Sequence, residues 1–450
     1  MWFEPLLTGT MRFLTKRYFR LNEEQIECLP APKPGRAYML YAHVPFCETL
    51  CPYCSFNRFV YSEDRARAYF TQLRAEMHMV AGLGYSFDSL YIGGGTPTVL
   101  IDELIQTIEL ARSLFGIREV SCETNPNHLT PENARRLAPY IQRMSVGVQS
   151  FNDDMTRRMN RFERFGSGEH MLEQIRSVSG IFDFLNVDMI FNLPGQTAEM
   201  LRDDIDYAIR CGANQVTFYP LMSSPSVASS MAATLGEVSY NHEAGYYQKL
   251  VNELAGDFQM TTAWNFGRRQ PAASSSGQAY MIDEYIVNFG EYVGVGSGSF
   301  SYLDGRLFVN TFSLSEYRQK IEAGRMSVKA SASFGRRQQM QYRLMMDLFS
   351  LRLDKQAFKR EFGISLERGL PLELNLLRLL GAFQTDNRDE LTLSPAGRYI
   401  LLVMMREFFV AINGVRDQAR SSLPAAERLQ QCAQPADSSL LPGGAIPVHR

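Results

Sequence analysis

Between residues 37 and 222 short apolar runs alternate with longer amphipathic stretches. The strand-like runs fall at 38–44, 89–92, 120–123, 144–149, 185–191 and 215–220, and helical periodicity occupies 62–80, 102–115, 131–140, 168–178 and 197–211. Strands that read apolar on both faces are buried on both, and a helix between successive strands joins parallel neighbours. Six such units predict a parallel sheet with helices over its outer face. The alternation stops at Met222, where a polar loop (223–230) and a helix near 239–256 follow. Residues 335–410 read as a small helical domain, with helices at 338–353, 372–380 and 399–409 and a turn at 390–397. At the other end, three prolines and a glycine in 29–36 prevent regular structure and mark a linker. The expected organisation is an N-terminal arm and linker (1–36), a main α/β unit with an extension (37–330), the small helical domain (331–415) and a tail (416–450). From about Ser421 the tail turns rich in Ser, Pro, Ala and Gln and is expected to be disordered.

Charge and cysteine usage narrow the class. A net charge of -2 over 450 residues gives no electrostatic case for nucleic acid. No run of about 18 apolar residues offers a membrane span. Seven cysteines, an odd set with four scattered singly, argue against a disulfide scaffold and for a reducing, cytoplasmic setting.

The other three cysteines carry the chemistry. Cys47, Cys51 and Cys54 stand in C-x3-C-x2-C spacing just after the first strand-like run. Thiolates select zinc, copper(I) or iron–sulfur clusters, and a structural zinc wants a fourth ligand at close spacing. No further thiol follows closely; His43 or His78 could complete a zinc knuckle. An iron–sulfur cube on three cysteines would instead leave one iron open to a small molecule.

The segment Tyr41-x-His43-Val44-Pro45-Phe46-Cys47-x3-Cys51-x-Tyr53-Cys54 resembles the cluster loop of radical S-adenosylmethionine (SAM) enzymes, in the branch containing oxygen-independent coproporphyrinogen III oxidases. Further motifs resemble the family in the same order: Gly93-Gly94-Gly95-Thr96, Glu123 ending the third strand, Gln149 and Arg161, Asp188 within the fifth strand, and Phe300 after a late glycine-rich strand. The resemblance implies a partial (β/α)6 radical SAM barrel with a small helical, winged-helix-like C-terminal domain. It also implies a 4Fe-4S cluster on Cys47, Cys51 and Cys54, whose open iron chelates SAM. An electron from the reduced cluster then splits SAM into methionine and a deoxyadenosyl radical. Tyr41, Tyr53, Gly94, Gly95, Thr96, Glu123, Gln149, Arg161, Asp188 and Phe300 are the implied cofactor contacts. The glycines allow positive φ and close backbone approach, and an Asp inside an apolar strand needs a partner.

For a substrate, Arg268 and Arg269 beside Trp264 are the favoured contacts, guanidinium forks suiting carboxylates and an indole face a flat ring. No histidine stands out as a heme ligand; His128 and His242 are the available ones. Phe56 stands where the oxidases carry a further cysteine, whereas 54–59 and 296–305 most resemble anaerobic heme-degrading methyltransferases, the anaerobilin synthases. The resulting expectation is a radical SAM methyltransferase that opens heme to a linear methylated tetrapyrrole with iron release, served by a flavodoxin-type electron donor. A heme chaperone and an oxygen-independent coproporphyrinogen III oxidase are the alternatives.

Overall fold

The computed structural model describes residues 4–23, 26–269 and 290–431 of the chain. Six parallel strands run side by side in sequence order: β1 (Met39–Val44), β2 (Ser89–Gly94), β3 (Glu119–Thr124), β4 (Arg143–Gln149), β5 (Phe184–Phe191) and β6 (Gln215–Pro220). Every residue of β1 and β2 is buried, which is why they read as unbroken apolar runs. The helices between the strands start at sequence-encoded caps: Thr130, Ser167 and Thr197 each accept a hydrogen bond from the backbone N–H three residues on. Helix Pro131–Leu137 is shorter than the expected 131–140.

The sheet does not end at six strands. Beside β1 lies Tyr292–Val295, also parallel, followed by the antiparallel meander Phe300–Leu303, Arg306–Asn310 and Val328–Ser333. Beyond β6, Asn265–Arg268 and Phe258–Met260 add two antiparallel strands. The result is an open, partial barrel whose parallel strands direct their C-terminal ends to one rim, where variable loops collect.

The remaining elements cover that frame. Helices Arg336–Phe349, Lys355–Phe362 and Pro371–Leu379 pack with a three-stranded antiparallel sheet of Arg352–Asp354, Glu390–Leu393 and Phe383–Asp386, a winged-helix-like arrangement. The expected turn at 390–397 is thus a strand followed by a helix start capped by Ser394. That helix, Pro395–Ser421, is far longer than 399–409, and Ala425–Gln430 forms another. Residues 416–431 are therefore not a disordered tail; 432–450 lie outside the described residues, as does the serine-rich stretch 274–277. Composition misled because Ile412, Val415 and Leu423 continue a buried stripe, and tertiary packing overrides weak local propensity.

The N-terminal arm is fixed rather than loose. Helix Glu4–Tyr18 lies along the long C-terminal helix. Between them Arg406, fully buried, meets Glu4 at 3.1 Å, Glu407 at 3.0 Å, Thr8 Oγ1 at 2.9 Å and the Glu243 carboxylate. Arg12 adds a 2.7 Å bond to Glu407.

Candidate functional site

At the end of β1 the chain turns at Pro45, and Phe46–Cys47 pairs in parallel with Phe59–Val60. The Phe59 N–H donates to the Pro45 carbonyl at 2.7 Å and the Tyr61 N–H to Cys47 at 2.9 Å, so the loop is closed at its base. It presents Cys47, Cys51 and Cys54, all half-buried. Two guanidiniums face it. Arg58, itself buried, donates to the carbonyls of Cys51 (2.7 Å) and Cys54 (2.8 Å), while its Nε and Nη1 have no hydrogen-bond partner. Arg161 directs Nη1 to Cys51 Sγ at 3.4 Å and lies over the Phe165 ring. Thr96 Oγ1 approaches Cys47 Sγ at 3.8 Å. Burial pushes the Cys47 thiol up to about 12, Cys54 and Cys51 add to the rise, and Arg58 opposes it. Thiols in such a place ionise when a metal replaces the proton.

The donor set fits an iron–sulfur cluster and not a single zinc ion. Among the described residues no group of three or more His, Cys, Asp or Glu converges on one metal position. Both nitrogens of His43 are engaged, Nδ1 with Tyr41 Oη at 2.9 Å and Nε2 with the Asn57 carbonyl at 2.8 Å. A carbonyl only accepts, so Nε2 carries the proton and Nδ1 accepts from the phenol. Burial lowers the pKa of this imidazole to about 4. His78 is exposed on the outer helix Glu63–Gly82. A cubane takes each thiolate on a different iron, so it asks for separated thiols, and the cations beside them offset the cluster's negative charge.

The other expected residues line the same rim. Glu123 Oε1 accepts from Tyr91 Oη at 2.9 Å and Oε2 from the Gly94 N–H at 3.0 Å. Only Gly94 of the glycine triplet has positive φ (+117°); a Cβ there would lie 2.5 Å from the His43 ring, and one on Gly95 would lie 2.6 Å from the Phe46 carbonyl oxygen. The glycines thus serve close packing of β2 against the cluster loop as well as any approach of a ligand. Asn125 links Thr96 and Arg161: it donates to Thr96 Oγ1 at 2.7 Å and accepts from Arg161 Nη2 at 3.3 Å. Gln149, where β4 ends, holds φ +75°, an unusual conformation for a side chain of its size and a common mark of functional sites. Asp188, half-buried, accepts from Ser145 Oγ at 2.6 Å and Asn186 Nδ2 at 2.8 Å. Tyr53 lies against Cys51 and Arg161, and burial raises its phenol well above the ordinary value. Phe300 lies apart from this group, beyond β1, with its ring near the Arg416 guanidinium (5.8 Å).

Two expectations from sequence, both of substrate contacts, are corrected. Arg268 does not face the rim: it donates to the carbonyls of Ala213 (2.9 Å) and Ile209 (2.7 Å), capping a helix end, and Arg269 binds the Ala255 carbonyl. Trp264 is fully buried against Phe349 and Phe409 and offers no open face. His128 is held between Thr98 and Glu48, and His242 stacks on Tyr246 at the surface. The arrangement that sequence missed is the seat of the C-terminal helix on the cluster loop. Ser55 Oγ donates to Asn413 Oδ1 at 2.7 Å, Arg420 donates to the carbonyls of Ser55 and Phe56, and the Arg416 guanidinium covers the Phe56 ring at 4.2 Å. Nothing in local patterning signals contacts across more than 350 residues.

This is a radical SAM fold, with three thiols at the rim of a partial parallel barrel, and residues 41–208 match the family model described as "Radical SAM superfamily". Members of that superfamily use a 4Fe-4S cluster and SAM. Within it the chain is similar to the heme chaperone HemW of Bacillus subtilis, 25% identical over 346 residues, covering 74% of this chain and 88% of the relative. It is similar also to the oxygen-independent coproporphyrinogen III oxidase of Cereibacter sphaeroides, 26% identical over 407 residues, 85% and 89% of the two chains. In fold it matches the coproporphyrinogen III oxidase HemN of Escherichia coli with a TM-score of 0.69, covering 83% of this chain and 91% of that one at 22% identity. These relatives are named as heme chaperones and oxidases, which overturns the expectation of a heme-opening methyltransferase. The short stretches 54–59 and 296–305 had suggested it. Gly296 and Gly298 have positive φ and press against His43 and Asn57, whatever the reaction.

The described residues include no helix long and apolar enough to cross a membrane.

Proposed function

We propose that this radical SAM protein binds a heme-type tetrapyrrole and hands it on, the role named for its chaperone relatives. The observation that carries the reading is Phe56. Two residues after the last cluster thiol, it is a partly exposed aromatic ring under the Arg416 guanidinium, where the oxidases resembled in sequence carry a cysteine. A phenyl ring supplies a flat apolar surface and no thiol chemistry.

Cys47, Cys51 and Cys54 would hold the cluster, which when bound would supply the electron that cleaves SAM; a flavodoxin-type protein is the proposed donor. The chain's own residues orient and enclose. Arg161, fixed by Asn125 and the Gly147 carbonyl, keeps a positive charge beside Cys51. Tyr41, Tyr53, Gly94, Gly95, Thr96, Glu123, Gln149 and Asp188 are the proposed walls of the SAM site, from which Phe300 stands apart. Glu123 and Asp188 accept donors there, since each carboxylate oxygen takes more than one hydrogen bond. Burial of the loop under Arg58 and the C-terminal helix excludes water.

A second reading, coproporphyrinogen III oxidation, is favoured by the long alignment with the C. sphaeroides oxidase. Anaerobically reconstituted protein separates the two. Heme that binds stoichiometrically and passes unchanged to an apo-hemoprotein, with coproporphyrinogen left intact in the presence of SAM and reductant, is the expected result. Decarboxylation of coproporphyrinogen coupled to SAM cleavage would instead establish the oxidase.

A further inference from the structure

Arg58 follows the last cluster thiol by four residues, is buried, and uses one nitrogen on the loop: Nη2 donates to the carbonyls of Cys51 (2.7 Å) and Cys54 (2.8 Å). Those two bonds fix the guanidinium against the segment that carries the thiols. Nε and Nη1, which hold three of the five N–H donors of an arginine, are buried and have no hydrogen-bond partner. Buried donors are costly to leave unmatched, and a buried cation without a counter-ion more so. Burial opposes the charge of Arg58, yet Cys54, Cys51 and Cys47 outweigh it and hold its pKa above the ordinary value. A brace to two carbonyls needs a single donor nitrogen, which a lysine or an amide side chain would supply. The surplus donors and the charge ask for an anion at the thiols. A cluster on three thiolates is negative, and more so once it has taken up an electron.

Resting on the assignment of the cluster to Cys47, Cys51 and Cys54, and not on the tetrapyrrole reading, we infer that Arg58 sets the cluster's reduction potential, its Nε and Nη1 N–H groups donating to cluster sulfur. Net charge, hydrogen bonds to the sulfurs and solvent exposure are what fix such potentials. A cation held in place favours the reduced, more negative state. Arg58 therefore raises the potential, and a less strongly reducing one-electron donor suffices. Because the same side chain grips the carbonyls of two of the thiol residues, its distance from the cluster is set by the loop itself.

The test is an EPR-monitored titration of the reconstituted full-length protein with dithionite and mediators, with iron content and SAM affinity measured alongside. Wild type is compared with Arg58→Met, Arg58→Gln and Arg58→Lys. The Met and Gln variants should hold the reduced state at least about tenfold less favourably, a shift of about 59 mV to more negative potential for one electron. Arg58→Lys, which keeps the charge, should recover most of that shift, and SAM affinity should be unchanged. Where Arg58→Met does not retain a cluster, the Gln and Lys variants carry the comparison. Equal potentials in the variants that retain the cluster overturn the inference, as does loss of the cluster from all three, which would make Arg58 a brace only. A fall in SAM affinity with the potential intact would give the spare donors to SAM, and overturns it too. Wild-type protein that takes up no iron and sulfide overturns the cluster assignment itself, a result read before any potential is measured.

Discussion

Ser55 and Asn413, 358 positions apart, share a buried 2.7 Å hydrogen bond that fastens the C-terminal helix to the loop carrying the cluster thiols. Asn413 also donates to the Met222 carbonyl at the end of the sixth strand–helix unit. One side chain thus ties the cluster loop, the barrel rim and the C-terminal helix. Asn413→Ala leaves Ser55 and Met222 without their partner, at a cost of about 1–3 kcal/mol. Urea unfolding should show the loss, and the variant should release its cluster faster than wild type. An unchanged midpoint and unchanged cluster lifetime would deny the coupling.

Cys47→Ala, Cys51→Ala and Cys54→Ala should each yield folded protein that retains little iron and sulfide after anaerobic reconstitution, because a cubane held by two thiolates lacks a third anchored corner. Circular dichroism should match wild type, since the thiols lie outside the main sheet. Full cluster content in any one variant would remove that cysteine from the ligand set.

Arg406 is enclosed with Glu243 and Glu407, whose side chains are fully buried. Arg406→Met strands the buried Glu243 carboxylate without its cation and leaves Glu407 with Arg12 alone, and such breakage costs about 3–5 kcal/mol. Limited proteolysis should then cut first in the N-terminal helix, since Glu4, Thr8 and Arg12 depend on this cluster. Cleavage elsewhere with the helix protected would show that apolar packing alone fixes the arm.

Asp204 accepts from the Phe151 N–H at 2.6 Å and from Ser150 Oγ at 2.9 Å, yet burial pushes its pKa up from 3.8 to about 7. The folded state therefore holds this proton more tightly than the unfolded chain. Its stabilising contribution is full below the unfolded value of 3.8 and is lost as pH rises towards 7. Between about pH 4 and about pH 7 wild type should lose stability relative to Asp204→Asn. Parallel pH profiles of the two unfolding midpoints would contradict this.

The sequence by itself determined the strand–helix alternation and the position of the thiols. Both are local: a strand buried on both faces must be apolar throughout, and the three cysteines fall within eight residues, on the loop after β1. It also marked Asp188 correctly as a carboxylate that needed partners, because burying charge is costly wherever it occurs. What only the tertiary structure decided is who meets whom across the chain. Arg268 and Trp264 had the chemistry for a substrate contact, but the register of Asn265–Arg268 against β6 commits them to a helix end and to the core. Asn413 and Arg416, both beyond the helix expected at 399–409, reach the cluster loop because the Pro395–Ser421 helix is long enough to carry them there. A helix presents side chains by its period, but its direction and length within the fold are set by the apolar surface it buries. That surface comes largely from other parts of the chain, and no local window of sequence contains it.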